Sequence, residues 1–497
     1  MEGNFQPING PELQAIAQKL ESLNKSFAAG FPGLQNAGRT QTSALSVDNL
    51  EPTLRSIALE DEDFLLIKDV QQMPAKSSVY QYVMKTAVRS GVDLWGVENF
   101  LPQEDHAKYH RVAEVLKVAG IRKTITHMAQ LINEVGGYMV DLEAENDQNA
   151  AMAMSESLER ALYSGGDYYF DAAGDVDYSI AANPNGSIRQ IRGIQAQIRE
   201  GNYSARGIPG DFIGYGNNQV TIGDARGGVL TRELVDKICV AVRNNRGRLE
   251  EAHCTTNQLQ SFRATFFPFE RGDLGAWYAP KGAGVDVEPK QGFPLQTVTG
   301  NIDFVPSVFK FSRIYAEPVY GSVGSAPNTP AITSVTPGGT GTAFSNGDAF
   351  KYVVQAWSVN GASGASAEST ATLTADGQYV DVVITAQTGV EEFWVFRTDA
   401  GGASGSQKFV GRIIASRSGA TTFRDKGTIL PGFDSIVFFP KKANRAKLAV
   451  LGNLLTKMKL GRTGLVEEVV YVSYLACILE WPRHHALLMN VYQELDI

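Results

Sequence analysis

Between about Ala326 and Phe433 the chain changes character. Ser, Thr, Gly and Ala rise, His and Cys vanish, and short β-rich runs recur between turn signals: DAFKYVVQAWSV, QYVDVVITAQ, EEFWVFRTD and KFVGRII. In the second run Val380, Val382 and Ile384 alternate with Asp381 and Thr385, apart from an extra Val383. That is the period-two pattern of a half-buried strand. EEFWVFRTDAGGASGSQKFVGRII, residues 391–414, reads as a strand, a glycine-rich turn and a second strand. About seven such strands in roughly 100 residues predict a β-sandwich. APNTP before the block and LPGF after it mark its ends. Both flanks are patterned differently, so the sandwich is an insertion and the fold is composite.

The flanks supply the rest. At 497 residues the chain is too long for one core, and a division into about three domains is expected. Residues 138–164, YMVDLEAENDQNAAMAMSESLERALYS, are rich in helix formers, hold no Pro and end at Gly165-Gly166, which predicts a long helix. Residues 11–29 place Leu13, Ile16, Leu20, Leu23 and Phe27 on one helical stripe between Pro11 and Gly30, and a polar linker follows. That stripe docks either on another body or on its own domain. Residues 76–125 hold two strand-like pieces, SSVYQYVMKTAV and VAEVLKVAGIRKTITH, joined by a polar and aromatic excursion. This describes an extended hairpin, and a long hairpin with little to bury finds its partner in another chain.

Residues 165–325 alternate helices such as TRELVDKICVAVRNN with strands such as EAHCTTNQLQSF, an α/β or α+β mixture. After the sandwich, AKLAVLGNLLTKMKL is expected to be a helix with Leu448, Leu451, Leu455 and Met458 on one face, Lys457 and Lys459 near its end and Gly461 as its stop. Two β-rich segments, EEVVYVSYLACILEW and HHALLMNVYQE, finish the chain and are expected to close a sheet begun earlier.

Chemistry-bearing motifs are sparse. The sequence contains neither a G-x-x-x-x-G-K-[ST] phosphate loop nor a G-x-S-x-G elbow, and the glycines of TPGGTGTAFSNGD fall between predicted strands, where they serve turns. His106 and His110, beside Glu104 and Asp105, would share a face if helical, as a zinc site needs. Pro102 and the lack of a further ligand favour exposed loop residues instead. His484-His485 and His253-Cys254 are adjacent pairs whose side chains diverge on a strand. DAAGDVDYS, residues 171–179, lacks the spacing and the terminal Glu of a calcium loop. RNNRGR (243–248) and KKANRAK (441–447) are short basic runs without interleaved aromatics. Cys239, Cys254 and Cys477 form no CxxC pair and read as buried, reduced thiols. No catalytic, cofactor-binding or metal residue is therefore assigned, and a non-enzymatic protein without cofactors is expected. The net charge of −8 argues against a chain built to grip nucleic acid, though not against one that surrounds it. MEGNFQPINGPELQ lacks the features of a secretory signal, and no apolar run approaches the roughly 20 residues of a membrane helix.

In order, these parts resemble the major capsid proteins of tailed bacteriophages, the Hong Kong 97-type fold. The segments that carry the resemblance are the arm, the extended hairpin, the long helix, FRATFFPFERGDLG, VTGNIDFVPSVFKF (298–311) and VEEVVYVSYLACILEWPRHHALLMNV (466–491). EEFWVFRTDAGG, KFVGRII and TTFRDKGTILPGF resemble immunoglobulin-like or fibronectin type III-like modules. The resemblance implies an α+β fold divided as an N-terminal arm (1–50), a first peripheral part (51–75), an extended loop (76–125), a spine-helix segment (126–165), an axial domain (166–325), the immunoglobulin-like insertion (326–433), a return (434–465) and closing peripheral strands (466–497). It also implies a virion protein assembled in the host cytoplasm. Its partners would be copies of itself in hexamers and pentamers, with scaffolding, portal and decoration proteins, and it would enclose double-stranded DNA without reading its sequence. Some relatives crosslink through a Lys of the extended loop; Lys85, Lys108 and Lys117 lie there, with no identified partner or catalytic acid. Many relatives carry a long cleaved N-terminal region, whereas here a separate scaffold or none, and no cleavage, is expected. The alternatives are a tail-associated or adhesin-like protein binding carbohydrate through Trp357 and Trp394, and an encapsulin-like shell around a cargo enzyme. Deleting residues 76–125 is expected to abolish assembly and leave a folded monomer. Deleting 326–433 is expected to leave assembly intact if the sandwich is decorative.

Overall fold

The structure, a computed structural model, describes residues 64–87, 106, 108–128, 142–175, 190–202, 221–270, 293–310, 317–319, 327–340, 342, 344–358, 360–416, 419–440, 446–460 and 466–493. The chain divides into two units, residues 1–58 with 130–144, and residues 59–129 with 145–497. The second unit holds nearly every described residue and is the subject below. The N-terminal helix with Leu13, Ile16, Leu20, Leu23 and Phe27, the pair Glu104 and Asp105, and most of KKANRAK lie outside the described residues.

A six-stranded sheet forms the centre, in the order β5 (Ile222–Asp224), β21 (Ala486–Val491), β17 (Asp434–Pro440), β6 (Leu249–Cys254), β8 (Gly300–Pro306) and β7 (Phe293–Thr297). Every residue of β17 is buried, which explains its continuous apolar run: a strand covered on both faces does not alternate. Ile436 and Phe438 meet α4 (Arg232–Asn244) and α5 (Thr256–Glu270) on one face, through Val235, Ile238 and Phe262. Val437 and Phe439 meet α2 (Leu142–Ser164) and α3 (Ile194–Asn202) on the other, through Leu162, Tyr163 and Ile194. The α4 helix fills the stretch read as TRELVDKICVAVRNN, with the Thr231 hydroxyl accepting from the Leu234 amide at its start.

EAHCTTNQLQSF is not one strand. β6 stops at Cys254, and Thr255 and Gln258 cap the next helix reciprocally: the Thr255 amide donates to Gln258 Oε1 (3.0 Å) and the Gln258 amide to Thr255 Oγ1 (3.3 Å). FRATFFPFE consequently lies in α5.

The second sheet has five strands. β20 (Val466–Ile478) is its spine, with β4 (Lys117–Thr126) along one edge and both β18 (Lys447–Val450) and β19 (Thr456–Lys459) along the other; β1 (Gln71–Pro74) pairs parallel with β18. The helix expected over AKLAVLGNLLTKMKL is thus two short strands. The turn between them passes through Gly452 at φ +80°, a left-handed conformation that glycine adopts freely. Leu448, Leu451, Leu455 and Met458 share helical spacing but no helical face. The two terminal strands, read as closing one sheet, close two: β20 belongs to this sheet and β21 to the six-stranded one. Between them Pro482–His484 form a 3₁₀ turn, so His484 and His485 do not lie on a strand.

The block after residue 326 folds as two sheets sharing one apolar core. One has β10 (Ala349–Ser358) and β14 (Glu392–Arg397) at its centre, flanked by β11 (Gly361–Ala362), β12 (Ser369–Thr372) and β15 (Lys408–Ile414); the other is β16 (Thr421–Asp425), β13 (Tyr379–Ile384) and β9 (Ile332–Gly338). Along β13, Val380, Val382 and Ile384 are buried and Tyr379, Asp381 and Val383 are half-buried, which is the alternation read from the sequence. Tyr168 and Phe170, far upstream, also belong to this core, so deleting 326–433 would strip the cover from two aromatic side chains.

Candidate functional site: a two-stranded ribbon and its root

β2 (Val79–Ala87) and β3 (Lys108–Val115) pair antiparallel as a ribbon, and among the described residues neither strand has a second partner. Nine residues of β2 at about 3.3 Å each span roughly 30 Å. The register places Gln81 opposite Ala113 and Val83 opposite Arg111 on one face, with Tyr109 following along β3. That face is open: Val83 is 63% and Tyr109 65% exposed. The other face carries Tyr80, Tyr82, Val112 and Glu114. Near the root Tyr80 and Tyr82 pack with Ala75, Ala449 and Ile478. An exposed ribbon with open edges and apolar side chains on its free face is a template for another chain.

The root is rigid for reasons visible in its chemistry. The strand read as VAEVLKVAGIRKTITH divides at Leu116, whose amide donates to the Ser78 carbonyl (2.9 Å); from there the chain leaves the ribbon and becomes β4. Two residues earlier, the Glu114 carboxylate accepts from the Arg192 guanidinium, with side chains 7% and 3% exposed. Burial pushes the Glu114 carboxyl above its usual range, against the pull of Arg192 and Lys117, and burial likewise lowers the Lys117 ammonium. Arg192 is itself positioned by Gln197, whose Nε2 donates to the carbonyls of Arg192 (2.8 Å) and Cys477 (2.9 Å) while its Oε1 accepts from the Leu479 amide (3.0 Å). The ribbon is thereby tied through α3 to the end of β20. A second anchor holds α1 (Leu66–Asp69), where buried Glu159 of α2 accepts from the amides of Leu66 (2.7 Å) and Ile67 (2.9 Å).

The other sequence candidates do not gather into a centre. His110 lies in β3, so His106 and His110 do not form a helical pair, and no group of three metal-ligating side chains occurs among the described residues. His253 and Cys254 diverge on β6: His253 Nδ1 lies 2.6 Å from the Tyr163 hydroxyl, whereas the Cys254 thiol approaches the Val305 carbonyl at 3.8 Å. Cys239, Cys254 and Cys477 are buried and free, and burial pushes the Cys254 and Cys477 thiols up to about 12. Asp171 and Asp175 form a turn in which the Asp175 amide donates to Asp171 Oδ1, and Lys426 pairs with Asp175. Arg243 and Arg248 of the RNNRGR run border an open groove of about 410 Å³ with Val240, Asn244, Val298 and Thr299. Of the glycines of TPGGTGTAFSNGD, Gly338 and Gly339 fall at the end of β9 and Gly347 in the turn before β10. Trp357 and Trp394 stack at 4.5 Å, and Trp394 packs against Phe409 at 5.1 Å. Both are half-buried. Lys117 sits beside Glu114; the side chains of Lys85 and Lys108 lie outside the described residues. No helix among the described residues is long and apolar enough to cross a membrane. The ribbon was legible as a hairpin, but its anchor was not: Glu114 and Arg192 are 78 residues apart, with no local signal to join them.

No family model matches the chain, and no curated protein matches it. Solved structures do. The capsid of the cyanophage P-SCSP1u is 9% identical, covering 93% of this chain and 98% of that one at a TM-score of 0.42. The capsid of a native GTA particle is 8% identical over 92% and 100%, at 0.42. The holo encapsulin complex of Synechococcus elongatus PCC 7942 is 9% identical over 90% and 95%, at 0.34. The chain is thus similar, over most of its length, to shell-forming chains of phage, GTA and encapsulin particles.

Proposed function

We propose that this protein is the structural subunit of an icosahedral shell, a Hong Kong 97-type major capsid protein that encloses phage double-stranded DNA. In this reading the sandwich is an immunoglobulin-like domain on the outer surface. The observation that carries the proposal is the ribbon: roughly 30 Å of paired backbone with no further strand partner among the described residues and with Val83 and Tyr109 exposed on its free face, fixed at one end by a buried ion pair. A subunit that must cover a neighbour needs an element reaching beyond its own core, held at a set angle. A shell accumulates its stability over many such repeated contacts. Scaffolding, portal and decoration proteins would be its further partners, and the virion its location.

The test is size-exclusion chromatography and negative-stain electron microscopy of the chain alone and with Val83→Asp and Tyr109→Asp together. Both residues face outward, so the unfolding midpoint is expected to stay unchanged while closed particles or capsomer rings disappear. Particles that form equally well with both substitutions would sink the ribbon as the contact. Removing all of 76–125, the broader deletion, is not a clean test, because β4 runs beside β20 from Val466 to Leu475 and its loss would strip the five-stranded sheet.

A further inference from the structure

The sandwich is completed by a piece of chain that precedes it by more than a hundred residues. Tyr168, Tyr169 and Phe170 are 3%, 2% and 3% exposed. Tyr169 and Phe170 are bridge residues that follow a bend at Tyr168, and the three side chains leave the segment on two sides, so all three are buried only because it is covered on both. The cover is the free edge of β15. The Phe170 amide donates to the Arg412 carbonyl (2.9 Å), the Arg412 amide donates to the Tyr168 carbonyl (2.9 Å), and Tyr169 bridges Arg412 in parallel.

The side chains make this a shaped slot. Tyr168 and Phe170 enter the sandwich core, edge-on to Phe409 (5.9 Å) and Phe423 (5.2 Å) respectively. On the opposite side the Arg412 guanidinium lies 4.1 Å from the Tyr169 ring centre, its Nε donates to the Asp167 carbonyl (2.9 Å), and the Tyr169 hydroxyl donates to Glu392. The floor under Phe170 is Gly411, where a Cβ would stand 2.3 Å from a ring carbon. Only glycine leaves room for that ring. Tyr168 takes the left-handed backbone conformation, φ +64°, which an aromatic residue holds only where its surroundings fix it.

We infer that the sandwich carries a peptide-binding slot along β15 for a short segment of the pattern aromatic-x-aromatic, bent at its first aromatic residue, and that the slot is filled in cis by residues 167–171. The sandwich is then no bead on a tether. It is held in one orientation by the body, and the body segment is a ligand that the sandwich would accept as a separate peptide.

Hydrogen exchange of the full chain, read by segment, tests this. Tyr168→Ala with Phe170→Ala empties the slot and leaves 326–433 untouched. Exchange in β15 and β16 is expected to quicken at least about tenfold while β6 and β8 keep their rates. A millimolar synthetic peptide of residues 166–175 should restore the slow rates, and the same peptide with Ala at both aromatic positions should not. Unchanged exchange in β15 and β16, no effect of the peptide, or equal rescue by the Ala peptide would each overturn the inference. If the double variant fails to fold, Gly411→Ala replaces it. One added methyl against Phe170 must then give the same loss confined to β15 and β16, and unchanged rates there would overturn the proposal equally.

Discussion

Removing the Glu114 carboxylate is the most informative single perturbation of the ribbon. With side chains 7% and 3% exposed, Glu114 and Arg192 are both out of water. Glu114→Ala therefore leaves a guanidinium buried without its carboxylate, for which about 3–5 kcal/mol is the expected loss of stability. Replacing both, with Glu114→Leu and Arg192→Met, removes the charge from each side and should recover most of that loss, because apolar isosteres of a buried pair are near neutral. The pair Arg122–Glu468 at the surface provides the scale: its side chains are 60% and 16% exposed, and Arg122→Ala should cost at most about 1 kcal/mol. Urea unfolding followed by far-UV circular dichroism gives the four numbers, and particle formation by electron microscopy gives the functional readout. On the proposed function, Glu114→Ala should impair assembly even under conditions where the body remains folded, because the ribbon root loses its fixed angle. A loss below about 1 kcal/mol for Glu114→Ala, or a double variant no better than the single, would refute a desolvated pair as the anchor.

Two further outcomes follow from buried groups. Cys254 and Cys477, with thiols pushed from 9.0 up to about 12 by burial, should stay unlabelled by a thiol reagent at pH 8 in the native protein and react once it unfolds. A thiol pKa that is higher in the folded chain contributes stability below pH 9 and loses it as the pH climbs from 9 towards 12, so the urea midpoint should fall across that window, and less steeply in Cys477→Ala. In the sandwich, Asp425 accepts from the Arg397 guanidinium and from the Tyr352 hydroxyl (3.0 Å), all three deep in the core. Asp425→Asn should destabilise the sandwich by about 3 kcal/mol, read from Trp fluorescence during unfolding, and a change below about 1 kcal/mol would contradict a charge-paired core.

What could be read from the chain depended on where the partners lie. The alternation along β13 reports one buried face, and β13 folds against β9 and β16, both nearby in sequence. β17 hid its nature because both its faces are covered, so SIVFF carries no period. The stretch from Ala446 to Leu460 misled for a different reason. Its leucines repeat at three and four residues, but β18 is held between β20 and β1, and β1 comes from far upstream in the chain. Tertiary pairing there overrides local spacing. The helix after Cys254 did announce itself, through Thr255 and Gln258 three residues apart, a capping box that follows β6 without a break. At the candidate site the hairpin was legible as two strands, while the division at Leu116 and the ion pair to Arg192 were not, since each depends on residues elsewhere in the chain.

The order of the strands gives the insertion a consequence for folding. Within the sandwich β10, β13, β14, β15 and β16 find their partners locally, so that sheet pair can form early, closing on residues 168–170 already synthesised. The body cannot. β17 emerges after the sandwich and pairs with β6, made before it, and with β21, the last strand of the chain. The ribbon waits as well: Glu114 needs Arg192, Arg192 is held by Gln197, and Gln197 takes its other bonds from the main chain of Cys477 and Leu479. Until those C-terminal residues arrive, the ribbon that exposes Val83 and Tyr109 has no fixed direction. On the proposed function, a chain wired this way acquires its contact surface only when its own core is complete, which would keep an exposed ribbon from finding partners on half-folded chains.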